Sequence, residues 1–214
     1  MSITIDPVAT AGLVTRELRS GQRDGRPTKI VVASRTYAAD RPELWGAVTD
    51  PERLPRWFAP VTGDLRVGGR FQVEGNAGGV VEHCEEPERF AVTWEYQADV
   101  SWVSVTLTEA ADGTLLELAH EAHVDPEFWE RFGPGAVGVG WDLALLGLGL
   151  HLATGADNDP AEAEAWSLSP DGVRFATLAA TGWAEAAVGD GEDPQQARAA
   201  AERTTAFFTT APER

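Results

Sequence analysis

The chain has 214 residues, of which 43% are hydrophobic and eight are tryptophan, so it can bury a core in one domain and still carry an extension. Its 34 acidic residues outnumber 17 basic ones, which gives a formal net charge of −17. Such a surface repels phosphate backbones and anionic headgroups, so we expect neither nucleic acid nor a membrane as a partner.

Cysteine content and the N-terminus bear on the compartment. Cys84 is the single cysteine, so no intrachain disulfide can form, and residues 1–18 have neither a basic n-region nor a sustained apolar stretch. Both features predict a cytoplasmic protein. The segment Pro134–Ala153 is as long as a membrane span and is interrupted only by Asp142 and His151. Its strong apolar face and the lack of flanking lysine or arginine favour a buried helix of a soluble domain.

The first 27 residues are treated as an N-terminal extension, because their alternation is too short to distinguish a strand from a helix. The extension ends in the polar stretch Ser20–Pro27, which we predict to be a turn. Lys29–Tyr37 is rich in β-branched residues and is therefore predicted to be a strand.

Two short helices are predicted after this strand. Asp40 is suited to cap the first, with Glu43 three residues later to complete a capping box. Asp50 is suited to cap the second, with Pro51 at the first helical position, where the missing N–H is no loss. We expect this second helix to continue to Phe58.

The pattern then changes to the period-two alternation of strands. Gly68-Gly69 is predicted to be a two-residue hairpin turn between strands over 64–67 and 70–74. Further strands are predicted over 80–85, 90–96, 102–108 and 114–123. Consecutive hairpins indicate an antiparallel meander with one apolar face, which a long helix from about 135 to 153 would cover. The fold class is therefore α+β.

Four glycines, at positions 138, 140, 147 and 149, lie within this long helix. Glycine costs a helix roughly 1 kcal/mol relative to alanine. Their presence indicates that the helix backbone lies close to the sheet or leaves room for a ligand.

Beyond residue 156 the chain is acidic and rich in alanine. Three helices are predicted, over Pro160–Trp166, Pro170–Val188 and Pro194–Phe208, because each segment starts with a proline near its N-terminus. Their aromatic residues predict a helical extension, 156–214, that docks on a main domain of residues 28–155. An alternative role for this extension is to dock a partner protein or a second copy of the chain as a homodimer.

Five motifs occur in a fixed order along the main domain. They are VTDPERLPRWFAP (Val48–Pro60), DLRVGGRF (Asp64–Phe71), PERFAVTWEY (Pro87–Tyr96), DGTLLELAHEAH (Asp112–His123) and GVGWDLALLGLGLHL (Gly138–Leu152). Together they resemble the START-like or Bet v 1-like (SRPBCC) superfamily, in particular the bacterial relatives of the C-terminal domain of the Hsp90 ATPase activator. The resemblance implies a helix-grip fold, in which a curved antiparallel sheet wraps around a long C-terminal helix. It also implies a deep cavity between sheet and helix that binds an apolar or amphipathic small molecule, and we expect no cofactor.

The phases of the strands and of the long helix identify the side chains that would face this cavity. Trp94 and Trp141 are expected to face each other across it, and Trp57 and Phe58 to line its mouth. His120 is predicted to lie on the apolar face of its strand. Its role there is that of a hydrogen-bonded core histidine, a ligand contact or a proton-transfer group. The predicted ligand-binding residues are Trp57, Phe58, Val92, Trp94, Val105, Leu118, His120, Trp141, Leu145 and Leu148.

The other candidate chemical groups are assigned structural roles. His120 and His123 are three residues apart on a strand and so face opposite sides, which argues against a shared metal ion. Cys84 is predicted to be a buried structural cysteine, because the adjacent histidine side chain points the other way. Glu82 and Glu95 are predicted to be solvated charges on the outer face. No catalytic residue is therefore assigned.

Two further functions stay open besides binding. The first is an enzyme of the cyclase/aromatase kind, which would use the same pocket with His120 or Glu95 as proton-transfer group. The second is an Hsp90-type co-chaperone. The eukaryotic activator relies on an additional N-terminal domain, and we expect the 27 residues before the resemblance to be too few for one.

Overall fold

Residues 6–210 are described by the computed structural model of the chain. Within them, the eight strands are β1 (Thr15–Arg23), β2 (Arg26–Tyr37), β3 (Val61–Gly63), β4 (Arg70–Val73), β5 (Gly78–Glu85), β6 (Arg89–Tyr96), β7 (Asp99–Ala110) and β8 (Gly113–His123). They form one curved antiparallel sheet in the order β1-β2-β8-β7-β6-β5-β4-β3. The predicted meander is therefore confirmed, and the last strand, β8, pairs with β2 as well as with β7.

The helices of the described residues are α1 (Pro7–Gly12), α2 (Arg41–Thr49), α3 (Pro126–Phe132), α4 (Gly135–Thr154), α5 (Pro160–Ser167), α6 (Pro170–Gly189) and α7 (Pro194–Thr209). The side chain of Asp40 caps α2 by accepting the backbone N–H of Glu43 at 2.9 Å, as its spacing predicts. The long helix α4 and the three C-terminal helices agree with their predicted spans to within one residue or two.

The predicted second helix, from Asp50 to Phe58, is wrong. Leu54–Arg56 form only a single 3₁₀ turn, and the side chain of Asp50 accepts the N–H of Glu52 at 2.8 Å in a turn. The reason is Pro55, which has no N–H to continue an α-helix.

The predicted two-residue turn at Gly68-Gly69 is also wrong. Strands β3 and β4 are joined by a six-residue loop over 64–69, in which Asp64 accepts two bonds of 2.9 Å from the guanidinium of Arg66. Gly68 has a φ of 82°, which explains the glycine without a tight hairpin.

A tight hairpin occurs instead at Asp24-Gly25, inside the predicted polar turn. Both residues have positive φ, 51° and 74°, and Arg23 pairs directly with Arg26 across the turn. This is the turn geometry that Asp-Gly favours. The N-terminal segment thereby supplies an edge strand of the sheet, β1, which pairs with β2 along its whole length.

Helix α4 lies between the sheet and α6. On its α6 side, the carboxylate of Asp142 is fully buried and accepts two bonds from the guanidinium of Arg16 on β1, at 2.9 and 3.1 Å. The indole N–H of Trp183 on α6 donates to the same carboxylate at 2.7 Å. Burial raises the pKa of Asp142, and the neighbouring Arg16 opposes that shift. The cluster joins the N-terminal strand, the central helix and the C-terminal extension.

Among residues 6–210, α4 is the one helix long and apolar enough to cross a membrane. Length and apolar composition are equally typical of the core helix of a soluble domain. In this fold Val139, Leu145 and Leu148 of α4 are buried in the same hydrophobic core as the strand residues.

Candidate functional site

A cavity of about 330 Å³ lies between the sheet, α4 and the segment from α2 to β3. The segment that follows α2 is held over one side of the cavity, because the indole N–H of Trp57 donates to the carbonyl of Ala47 at 2.8 Å. Inward-facing aliphatic residues of β4 to β8 form the floor. Volumes from about 300 to 1,000 Å³ are typical of small-molecule sites, so the cavity is at the small end of that range.

Aromatic side chains line the cavity together with a larger number of aliphatic ones. Seven aromatic residues line it, namely Trp45, Trp57, Phe58, Phe71, Phe90, Trp94 and Trp141. The ring centroids of Trp94, on β6, and Trp141, on α4, lie 5.5 Å apart. The two tryptophans therefore meet across the gap between sheet and helix, as their positions in the sequence predict.

The predicted ligand-binding residues are brought together with one exception. Trp57, Phe58, Val92, Trp94, Val105, Leu118, Trp141, Leu145 and Leu148 all line the cavity. His120 does not, and its ring lies beside that of Trp141, with the two ring centroids 5.9 Å apart.

His120 instead holds the two tryptophans in place from behind. The indole N–H of Trp141 donates to Nδ1 of His120 at 3.0 Å, so that nitrogen carries no proton. Nε2 then donates to the hydroxyl of Ser101 at 2.8 Å, and this hydroxyl donates to the backbone carbonyl of Trp94 at 3.0 Å. Burial lowers the pKa of His120 to about 4, so the ring is neutral at physiological pH. Of the three roles left open by the sequence, the geometry fits the hydrogen-bonded core histidine.

Sequence reasoning missed the polar end of the cavity, which Cys84 and Glu86 line. The prediction of a buried Cys84 is wrong, because the side chain is exposed at the mouth. A β-bulge between Val81 and His83 shifts the alternation of β5, so that Val81 and Cys84, three residues apart, both line the cavity. A bulge has no clear signature in a single sequence. The sequence does indicate where β5 ends, because Pro87, two residues after Glu85, has no N–H to donate within a sheet.

The two strand glutamates lie elsewhere. Glu82 is exposed on β5, and Glu95 pairs with Arg70 at 2.6 Å, outside the cavity lining. Hydrogen bonds from Arg70 and from the hydroxyl of Thr93 lower the pKa of Glu95. Both residues are therefore on the solvated face, as predicted.

His120 and His123, three residues apart on β8, face opposite sides of the sheet, as their spacing predicts. The ring of His123 lies against Trp102 and its Nδ1 is 3.2 Å from the carbonyl of Pro27, whereas His120 is in the core. Within residues 6–210, no group of three histidine, cysteine or acidic side chains is arranged to hold a metal ion.

A second, wider depression of about 1060 Å³ lies between the tip of the β1–β2 hairpin, α3 and the C-terminal helices. Its lining includes the charged residues Arg26, Glu192 and Arg203. The Arg203 guanidinium is already bonded to the carbonyls of Arg131 and Glu130, at 2.6 and 2.8 Å. The first cavity, with its apolar aromatic lining, is the better candidate for a small-molecule site.

The sheet wrapped around α4 and the cavity between them define a helix-grip protein. Residues 38–152 match the family model described as "Activator of Hsp90 ATPase homolog 1-like protein", and the chain belongs to this family. Comparison with the curated protein sequences found no significant match.

Solved structures extend the similarity beyond the family segment. The crystal structure of CalU16 from Micromonospora echinospora is 33% identical, with a TM-score of 0.65, over 81% of this chain and 97% of CalU16. The solution structure of CalU16 is matched over 91% of this chain and 93% of its own, at 30% identity and a TM-score of 0.63. DynU16, a protein of the dynemicin biosynthetic locus, is 25% identical with a TM-score of 0.55 over 60% of this chain, which spans about half (48%) of DynU16.

Proposed function

We propose that the protein binds an apolar small molecule in the cavity between the sheet and α4. The observation that carries the proposal is the lining itself, because seven aromatic side chains surround a volume of about 330 Å³. Covering aromatic and aliphatic surface of this kind with an apolar ligand instead of water lowers the free energy of the system. The similarity to DynU16, which belongs to a biosynthetic locus, supports a natural product as the ligand.

A matched pair of variants on β7 tests the proposal. Val105 lines the cavity, and Val105→Trp should fill it, whereas Val100 on the same strand is 47% exposed and Val100→Trp leaves the cavity unchanged. The uncharged fluorescent probe N-phenyl-1-naphthylamine reports binding. We expect Val105→Trp to weaken its binding by about tenfold or more, and Val100→Trp to change it by less than about twofold.

Circular dichroism shows whether each variant keeps the fold. A wild-type protein that does not bind the probe, or a Val105→Trp protein that is folded and binds it as well as wild type, would contradict the proposal. Native mass spectrometry of the protein purified from its own host then gives the mass of any retained molecule.

A cyclase/aromatase-like enzyme would use the same cavity, but the residues first considered for it are poorly placed. His120 has both ring nitrogens bonded and is outside the lining, and Glu95 is paired with Arg70 on the other face. Such an enzyme would depend on Cys84 and Glu86, the ionisable side chains on the described lining. Retained turnover of a bound substrate in a His120→Gln protein would separate this function from one based on the histidine.

The family description keeps an Hsp90-type co-chaperone as the alternative from another class. A pull-down with the Hsp90 of the same host tests it, since a co-chaperone is recovered with Hsp90 and a small-molecule carrier is not. For the binding protein we propose a cytoplasmic location, in keeping with its acidic composition and single cysteine.

A further inference from the structure

The charge distribution around the cavity carries an inference about the class of ligand. No arginine, lysine or histidine is among the described residues of the lining. Its one charged side chain is the exposed carboxylate of Glu86, which forms no ion pair within residues 6–210. The cavity therefore has an acidic mouth and no cation inside.

Three uncharged hydrogen-bond donors of the lining are bonded to other groups of the protein. The hydroxyl of Thr49 donates to the carbonyl of Trp45 at 2.7 Å, and the N–H of Trp57 to that of Ala47 at 2.8 Å. The N–H of Trp141 is bonded to His120 at 3.0 Å. These three donors are already used within the protein, so they are not available to a buried anion.

A ligand carboxylate or phosphate would face two penalties in this site. Inside the cavity it would lose its hydration without gaining a cationic partner, which is the costly case for a buried charge. At the mouth it would meet Glu86, and the overall charge of −17 would add repulsion on approach. Fatty acids and other anionic amphiphiles are therefore disfavoured despite their apolar chains.

We infer that the cavity selects uncharged aromatic molecules and rejects carboxylates of the same carbon skeleton, with Glu86 as a specificity-determining residue at the mouth. This inference rests on the proposed function and names the ligand class of the same site. The aromatic lining favours flat aromatic rings, because ring stacking adds to the free energy gained from burial alone.

Two probes that share one ring system test the inference, namely 9-anthracenemethanol and 9-anthracenecarboxylate, titrated at neutral pH and low salt. We expect the alcohol to bind at least about tenfold more tightly to the wild-type protein. Glu86→Gln should reduce the ratio of the two dissociation constants by about two- to fivefold, because an exposed charge contributes only a modest interaction. The control is Glu82→Gln, which makes the same charge change at an exposed position of β5 outside the lining.

The outcomes separate the inference from the function. Carboxylate binding as tight as that of the alcohol overturns the inference and leaves the proposed function intact. Equal effects of Glu86→Gln and Glu82→Gln overturn the role of Glu86, since only the net charge would then matter. Failure of both probes to bind overturns the proposed function together with the inference.

Discussion

The two sides of α4 differ in packing density, since one side is tightly packed and the other borders a cavity. On the α6 side, the ring of Trp183 is fully buried against Gly138, where an added Cβ would overlap the indole. On the sheet side, Trp141 borders a cavity of about 330 Å³. Each side has a tryptophan N–H bonded to a buried titratable residue, Asp142 on one side and His120 on the other.

This difference shows how a cavity can persist in an interior that is otherwise densely packed. Protein interiors pack like organic crystals, so an empty volume collapses unless its walls are held from outside. Asp142 and Trp183 fix the back of α4, while His120 and Ser101 fix the indole of Trp141 and the strand at Trp94. The C-terminal extension therefore supports the wall of the candidate site without lining it.

Breaking the dense side should have the largest effect. Asp142→Ala leaves the guanidinium of Arg16, whose side chain is 9% exposed, buried without its partner. Removing one member of a buried ion pair typically costs about 3–5 kcal/mol, and we expect a loss of that size in the free energy of unfolding, measured by urea denaturation.

The double variant Arg16→Met/Asp142→Leu is the control, since it removes both charges and restores apolar contacts. It should be more stable than Asp142→Ala. A loss below about 1 kcal/mol for Asp142→Ala would show that the cluster does not hold the back of α4.

Acidification should act on the cavity side through His120. Its pKa is about 4 in the folded protein and about 6.5 in an unfolded chain, so between these values the unfolded chain binds a proton that the folded protein does not. The contribution of the neutral His120 to the free energy of unfolding is therefore fully present above about pH 6.5. It falls by about 3 kcal/mol as the pH is lowered from 6.5 to 4.

The His120→Gln protein lacks this titration and serves as the reference, and denaturation midpoints at several pH values give the slopes. Asp142, whose pKa burial raises, contributes with the opposite sign but equally in both proteins. Identical pH slopes for wild type and His120→Gln would contradict the assignment of the neutral, buried imidazole.

A pair of glycine substitutions on α4 gives the smallest and sharpest comparison. Gly138→Ala places a Cβ inside the Trp183 ring and should destabilise the protein by about 1–3 kcal/mol. Gly140→Ala meets no atom within 4 Å, so the better helix propensity of alanine should stabilise it by up to about 1 kcal/mol. Thermal unfolding should show shifts of opposite sign, and a stabilising Gly138→Ala would refute the close approach of α4 and α6.

The glycines of α4 also show what could be predicted from the sequence. A close approach of the helix to the sheet was predicted from them, because glycine is otherwise unfavourable in a helix. The neighbours were not, since Gly138 packs on Trp183 of the C-terminal extension, Gly149 on the guanidinium of Arg35, and Gly140 on nothing within 4 Å. Which atom lies opposite depends on the packing of distant segments, and local periodicity carries no information about that.

Part of the lining could be predicted because alternation along a strand decides which face a side chain occupies. Trp94 and Leu118 follow that rule. Cys84 departs from it because of a bulge, and Glu86 lies just beyond the end of β5. His120 was placed on the buried face, yet it is not part of the cavity lining, and its ring lies beside that of Trp141.

The sequence by itself determined the α+β class, the strands β5 to β8 and the apolar face that α4 covers, because these follow from local patterns of two and 3.6 residues. The helix-grip class came from the family resemblance. Only the tertiary structure decided that the N-terminal segment pairs as β1, that Asp142 joins Arg16 to Trp183, and that Glu86 lies at the mouth of an uncharged cavity. These features depend on contacts between residues far apart in the chain, and such contacts are fixed by how the layers pack rather than by any one segment.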